Sequence, residues 1–541
     1  MVLPKTFSDI GKSFLFSCLL LLLTFFFTLP IGFITADLGR HLKNGEIFFE
    51  RHRPISTNFY SFTQPDFPTI NHHWLTGVIF LLIHRVGGFE GISVFYTMIF
   101  LLSFYFFFDV ARRSSNFYYA LFFALISFPL IVSRREIRPE GLTCLFVGLY
   151  FWLFYKFKRK EIKFEWLWII PLCQVVWVNI HILFMLGIIM VGMFVVDVWL
   201  NESEWPIKKK CALLGIITVL VCFLNPFGLK GFLTPLTILK EYGYMIAENQ
   251  SVPFMCKRFP NNPLYFQFIT RFVICLISFI LAVLFMYKRK YRSAHSLKKK
   301  FSILPDGWTV LKGNVWEIGI FMCFGILAWK AVRSIQMFGL FFIPLTAGNL
   351  YSFLNPLWPK FKPTFNKSFL FFSILLFIPP VLNLKHSLPN NPLKIFGLAP
   401  KVNGSAEFFK RNKLEGPIFN NYDIGGYLIY HLFPQERVFV DNRPEAYTVS
   451  FFKDIYVPMQ EDELVWKKID QQYHFNVIYF FRLDMTPWAQ PFLLKRLRDP
   501  FWAPVFVDDY TIIFLKRNEK NAPVIERHEL PKSMFKMEGE I

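Results

Sequence analysis

The sequence predicts a polytopic α-helical membrane protein, with about eleven transmembrane helices and a C-terminal extracytoplasmic α/β domain. Three observations predict it. Of 541 residues, 54% are hydrophobic and only 18% charged, whereas soluble domains are about a quarter charged and under half apolar. Apolar runs near the length that crosses a bilayer, roughly 20 residues, recur through positions 1–384 and then stop. Lys and Arg outnumber Asp and Glu by 59 to 38, a formal net charge of +21. In a soluble protein that surplus would point to nucleic acid. In an apolar chain it marks cytoplasmic loops, and no nucleic-acid partner is expected.

The first run, Phe14 to Ile34, follows Lys5 and Lys12. It is expected to stay in the protein as a span, because Ile34-Thr35-Ala36 makes a poor cleavage site. Trp74 to Arg85 is short and amphipathic and reads as an interfacial helix. Further spans are expected near 89–108, 117–132, 141–155, 166–180, 182–200, 211–225, 269–287, 316–330, 335–350 and 368–384. With the N-terminus in the cytoplasm, every dense basic cluster falls on that side. These are Arg112-Arg113, Lys156 to Lys163, Lys208 to Lys210, Lys288 to Arg292, Lys298 to Lys300, and Lys360 with Lys362 and Lys367. An odd number of spans then puts the C-terminal part outside, and the expected location is the inner membrane, with the tail periplasmic.

Two large outer segments remain: the loop 35–88 and the tail 385–541. The chain thus divides into a membrane domain, 1–384, and an outer domain, 385–541. In the tail, strand-like runs Val438–Val440, Val477–Phe481, Pro504–Val507 and Thr511–Leu515 alternate with helix-like stretches near Tyr427–Leu432, Glu463–Gln472 and Pro491–Arg496. That order suggests a small α/β domain. The last twenty residues are polar and are expected to fray. Eight Cys show no C-x-x-C pair, so their spacing indicates neither a disulfide framework nor a metal site.

Ionisable groups at the membrane edge are costly unless they face a cavity or each other, and they recur on the outer side. Asp37 follows the first span and suits either a general base toward an acceptor hydroxyl or a helix N-cap. Arg40, three residues on, is expected to pair with it. His72 and His73 open the interfacial helix. As neighbours on a helix they point apart, which disfavours a shared metal. Arg134, Arg138 and Glu140 lie in an outer loop against the charge rule. Guanidiniums there suit a lipid phosphate or pyrophosphate, with ion pairing as the alternative. Asn179 and His181 interrupt an apolar run where the chain turns back. Glu248 is a candidate second acid, and Arg333 a further candidate phosphate partner. In the tail, Gly425-Gly426 reads as a tight turn, and Asp441 with Arg443 as a structural ion pair.

Together these residues resemble the GT-C class of integral-membrane glycosyltransferases. The resemblance rests on Asp37 to Glu46 after the first helix, the Pro54-to-Trp74 loop ending Asn71-His72-His73-Trp74, and Arg138-Pro139-Glu140. It also rests on Asn179-Ile180-His181 and Asn225-Pro226-Phe227-Gly228. It is nearest the dolichyl-phosphate-mannose–protein mannosyltransferase and aminoarabinose transferase groups, in a branch with a Gly-Gly-Tyr-Leu and Asp-x-Arg tail. The resemblance implies transfer of one sugar from a polyprenyl-phosphate carrier to an extracytoplasmic glycan, lipid or protein, with inversion at the anomeric carbon. It implies Asp37 as base, and Arg134, Arg138 or Arg333 as partners of the departing phosphate. The outer loop of that class often carries two adjacent acids, whereas here Asp37 is followed by Leu38. A divalent metal is compatible with the resemblance but is not indicated by the sequence. Two other readings predict different things. A transporter or flippase would place functional charge near mid-span in repeated halves, and a non-catalytic assembly protein would be indifferent to loss of Asp37.

Overall fold

In the computed structural model, residues 7–236, 241–296, 314–357, 362–387 and 396–535 are described. Lys298 to Lys300 and Lys360 lie outside them. The apolar runs form helices, because a backbone in hydrocarbon must satisfy its own hydrogen bonds. In chain order these are α1 (Phe7–Phe27), α2 (Leu38–Arg51), α3 (Trp74–Ser114), α4 (Phe117–Ile131), α5 (Glu140–Lys158), α6 (Ile169–Ile180), α7 (Met185–Asn201), α8 (Trp205–Leu220), α9 (Gly228–Leu233), α10 (Val252–Arg258), α11 (Pro263–Ser296), α12 (Val315–Lys330), α13 (Ile335–Leu357) and α14 (Lys362–Ser387).

Each expected span falls on a helix, but their limits differ. Among the described residues five helices are long and apolar enough to cross a membrane, and a sixth if the pair Trp205–Phe223 and Gly228–Leu236, bent by 115°, is one span. The first helix begins and ends earlier than expected. It stops at Phe27, and Pro30 lies in the extended stretch that follows, where Ile31 bridges Leu398 of the tail. The expected interfacial helix and the next span are joined in α3, 41 residues broken only at Gly88 (φ 61°, ψ −156°), a conformation open to glycine. The long run through 166–200 divides at His181, whose backbone is extended (φ −154°, ψ 140°). Inside the bundle Phe, Trp and Tyr rings interdigitate around buried Trp177 and Trp316, while Leu172, Ile216, Leu220 and Phe371 stay exposed on outward faces, as a lipid-facing surface requires.

The tail builds one four-stranded sheet in the order β1-β2-β4-β3. β1 (Ile418–Asn420) runs parallel to β2 (Val477–Phe481), β4 (Thr511–Lys516) is antiparallel to both of its neighbours, and β3 (Trp502–Val507) carries an irregularity between Pro504 and Phe506. β1 was not expected, since three residues are too few to show alternation. The expected strand at Val438–Val440 is instead an isolated bridge to the first outer loop. Val438 N–H donates to the Tyr60 carbonyl (3.1 Å), and Phe62 N–H donates to the Val438 carbonyl (3.1 Å). Of the last twenty residues, expected to fray, 536–541 lie outside the described residues and the first seven are ordered. Ala522–His528 is a helix with Val524 and Ile525 buried, and Asn521 before it is tied to Asn476 (2.8 Å).

Tail and outer loop are locked together. The helix Gly425–Leu432 packs on α2 through glycines: a Cβ on Gly39 would stand 2.8 Å from the Gly426 carbonyl oxygen, and one on Gly425 2.4 Å from the Asp441 Cα. Gly425-Gly426 is therefore a close-packed helix start. Beside it, buried Arg443 donates to Asp441 (2.8 and 2.6 Å) and to Asn58 Oδ1 of the outer loop (2.7 Å), with its guanidinium 5.5 Å from the Tyr60 ring centre.

Candidate active site

Where the outer loops meet the tail they enclose a cavity of about 800 Å³, within the range of ligand sites. Its lining comes from the start of α2, the start of α3, the turn before α5, the α6–α7 break, residues 227–249, Arg333 and the tail. These are loops at one end of the bundle. The basic clusters at Arg112-Arg113, Lys156–Lys158 and Lys208–Lys210 lie at the opposite ends of α3, α5 and α8. Of the candidates from the sequence, Asp37, Arg40, His72, His73, Arg138, Glu140, His181, Glu248 and Arg333 all line the cavity.

Asp37 occupies the N-cap position of α2 but makes no side-chain cap bond. Its carboxylate turns instead to two guanidiniums. Arg40 Nη2 lies 3.0 Å from Oδ1, and Arg138 Nη1 3.5 Å from Oδ2. Glu248 is drawn in by Arg138 (3.1 Å) and Arg134 (2.9 Å), Arg134 also meets Glu140 (3.2 Å), and Arg138 meets Glu136 (2.7 Å). The ion-pairing alternative thus accounts for Arg134, which is not among the lining residues. Asn179 is also elsewhere. It accepts from Trp74 Nε1 (2.9 Å) and donates to the Val175 and Leu224 carbonyls (2.8 and 3.0 Å), strapping three elements together. Lys230 and Arg333, by contrast, line the cavity and make no ion pair among the described residues.

Three imidazoles gather on the bundle side. His73 stands 5.5 Å from His41 and 5.2 Å from His181, ring centre to ring centre. The His181 ring is fixed through Nδ1 by Thr143 Oγ1 (2.8 Å), which in turn accepts from Trp177 Nε1 (3.1 Å). Burial first, then the neighbouring positive charge of Arg40, holds His41 well below the ordinary imidazole range. Burial likewise depresses His73, and brings His72 down to about 4. All three are neutral at pH 7, so they offer N–H donors and nitrogen acceptors without charge. Among the described residues no group of three or more His, Cys, Asp and Glu is placed to hold a metal ion.

None of the residues of the tail wall was a candidate from the sequence. Tyr422, Asp423, Asn442, Pro444 and Glu445 all reach the lumen, Asn442 Oδ1 accepting from Arg40 Nε (3.1 Å). Asp423 sits in the short turn Tyr422–Ile424 between β1 and the Gly425 helix. Its carboxyl has no hydrogen-bond partner among the described residues. Burial, and secondarily the carboxylate of Asp484, pushes it up to about 7 against the opposing pull of Arg138. Glu445 is raised as well, by withdrawal from bulk solvent inside the walled cavity. Asn-Tyr-Asp-Ile was legible as a motif, but nothing in it says that the turn faces Asp37.

Solved structures share this architecture. ArnT from Cupriavidus metallidurans bound to undecaprenyl phosphate matches with a TM-score of 0.51 at 12% identity, over 94% of this chain and 99% of its own. The apo form of the Archaeoglobus fulgidus oligosaccharyltransferase matches with a TM-score of 0.55 at 10% identity, over 95% of this chain and 75% of its own. No protein-family model matches the chain, and no curated protein does. At such identities the likeness is one of fold. Both neighbours are GT-C glycosyltransferases, and the helical bundle, outer loop and tail described above have the GT-C fold.

Proposed function

We propose that this chain is a glycosyltransferase of the inner membrane. It would move one sugar from a polyprenyl-phosphate donor to an extracytoplasmic glycan, lipid or protein, with inversion at the anomeric carbon. In this reading the bundle, 1–384, crosses the membrane about eleven times from a cytoplasmic N-terminus. The tail, 385–541, closes the cavity from outside. The observation that carries the reading is the charge inside that cavity. Two cations without ion-pair partners among the described residues, Lys230 and Arg333, share it with a carboxylate held between two guanidiniums. A phosphate needs the first, since cations lining a cavity form charge-assisted bonds to its oxygens. An acceptor hydroxyl needs the second, as a fixed hydrogen-bond acceptor.

In this division Arg333 and Lys230 take the lipid phosphate and stabilise the charge that grows on it as the sugar leaves. Asp37 holds the acceptor. The neutral imidazoles of His41, His73 and His181 and the amide of Asn442 remain for sugar hydroxyls. The undecaprenyl phosphate bound by the ArnT neighbour is a lipid of the proposed donor class.

Deleting the gene and profiling envelope glycans and lipids by mass spectrometry tests the reading. One sugar-sized mass is expected to vanish, and to return with wild type but not with Asp37→Asn. An unchanged profile in the deletion strain would refute it.

A further inference from the structure

We propose that the proton of the acceptor is taken by Asp423 of the C-terminal domain, in the turn that faces Asp37 across the cavity. The inference rests on the glycosyl-transfer reading above, and moves the base from the outer loop, where the sequence suggested Asp37, to the tail.

Three of the cavity carboxylates are already engaged. Asp37 is engaged at both oxygens, by Arg40 and Arg138. Glu248 is shared by Arg134 and Arg138, and Glu140 is held by Arg134. Each has at least one oxygen held by a guanidinium, which suits holding a geometry. Asp423 differs. It lines the same cavity, and its carboxyl meets no donor among the described residues. A base needs a free lone pair aimed at the incoming hydroxyl.

Its surroundings suit the task. Behind it Asp484 is buried and fixed, accepting from Asn421 Nδ2 and from Thr486 N–H (2.8 Å each). Arg138, Glu248 and Asp37 face it from the bundle side, and the phenols of Tyr244, Tyr422 and Tyr456 surround it. The balance of burial and of Asp484 against Arg138 leaves it near pH 7, where a base is both partly ionised and strong enough to accept a proton.

The acceptor O–H bond breaks and its proton passes to the Asp423 carboxylate. The acceptor oxygen forms a bond to the anomeric carbon as the bond from that carbon to the phosphate oxygen breaks. The electron pair leaves on the phosphate, beside Arg333 and Lys230.

The test uses membranes of the deletion strain, which supply the acceptor, carrying full-length wild type or a variant. Undecaprenyl-phosphate-linked labelled hexose, pentose or aminopentose is the donor, across about pH 5–9. Wild type is expected to lose rate on the acid side with an apparent pKa near that of Asp423. Asp423→Asn is expected to cost about 10²–10⁴-fold in kcat/KM, with Asp423→Glu partly restoring it. Equal protein recovered from the membrane, and unchanged affinity for undecaprenyl phosphate, show that Asp423→Asn is folded. Asp484→Asn removes the negative neighbour and is expected to shift the acid limb to lower pH, which a merely structural Asp423 would not do. Transfer by Asp423→Asn within a few-fold of wild type, or an acid limb unmoved in Asp484→Asn, overturns the inference while leaving the transferase reading intact. No transfer by wild type with any of the three donors overturns both.

Discussion

Arg443 shows how much of the site depends on single buried groups. Its guanidinium joins Asp441 to Asn58, and so the tail to the outer loop. Removing it leaves the Asp441 carboxylate buried without its cation, so Arg443→Ala is expected to destabilise the protein by about 3–5 kcal/mol. Thermal unfolding of the detergent-solubilised variant checks this, and an unchanged Tm would show that the pair is dispensable. At this scale the sequence was informative where interactions are local. Asp37 and Arg40 are one helical turn apart, so their pairing could be read from spacing. Asp441 and Arg443, opposite charges two residues apart in the tail, read as a structural ion pair, and they form one. Lys230, Tyr242 and Asp423 could not be read, because they reach the cavity only through tertiary folding and none carries a spacing signature. Arg134 and Asn179 show the converse. Their residue types suited a ligand, but neighbours distant in sequence, Glu248 and Trp74, had already claimed them.

Among elements, the crossing of α2 over the start of α3 positions the imidazoles. Backbones meet there directly: a Cβ on Gly77 would lie 2.6 Å from the His41 carbonyl oxygen, and one on Gly45 2.5 Å from the Gly77 carbonyl oxygen. Gly77→Ala is expected to push the helices apart at a cost of about 1–3 kcal/mol, and to lower transfer more than stability alone explains, because His41 and His73 sit on the two sides of the crossing. Comparing kcat/KM with Tm in the same preparation separates the two effects; an active variant of normal Tm would contradict the close crossing. Helix positions were legible from apolar runs, and β2, β3 and β4 from alternation. The division of α3 at Gly88 was legible as well; the early end of α1 at Phe27 was not. Nor was the fate of Val438–Val440, whose apolar pattern marks burial but not which partner supplies the hydrogen bonds.

For the whole molecule, the outer loops and the tail share one polar interior, and its protonation bears on stability. His72 is held near 4 in the folded protein, against about 6.5 in an unfolded chain. Above about pH 6.5 both states are neutral and the fold keeps its full stability. As pH falls from there toward 4, the unfolded chain takes up protons that the folded one refuses, so stability declines. Tm is therefore expected to fall between pH 7 and pH 5, and less steeply in His72→Gln. Equal slopes would show that His72 titrates freely. The separation of basic clusters from the cavity was legible from charge alone, since the rule that sorts cytoplasmic loops is a property of the whole sequence. Which tail residues close the cavity was not, because their contacts pair residues about 400 positions apart, as in Arg40 with Asn442.

The central claim is sugar transfer from a lipid phosphate, and the most direct measurement follows the anomeric carbon. Undecaprenyl phosphate carrying a labelled sugar of known anomeric configuration is supplied to the purified protein in lipid nanodiscs with the extracted acceptor. The configuration of the sugar in the product is then read by NMR. Transfer with inverted configuration and stoichiometric release of undecaprenyl phosphate is the expected result. Intact donor recovered after prolonged incubation, or moved across a bilayer without cleavage, would contradict it.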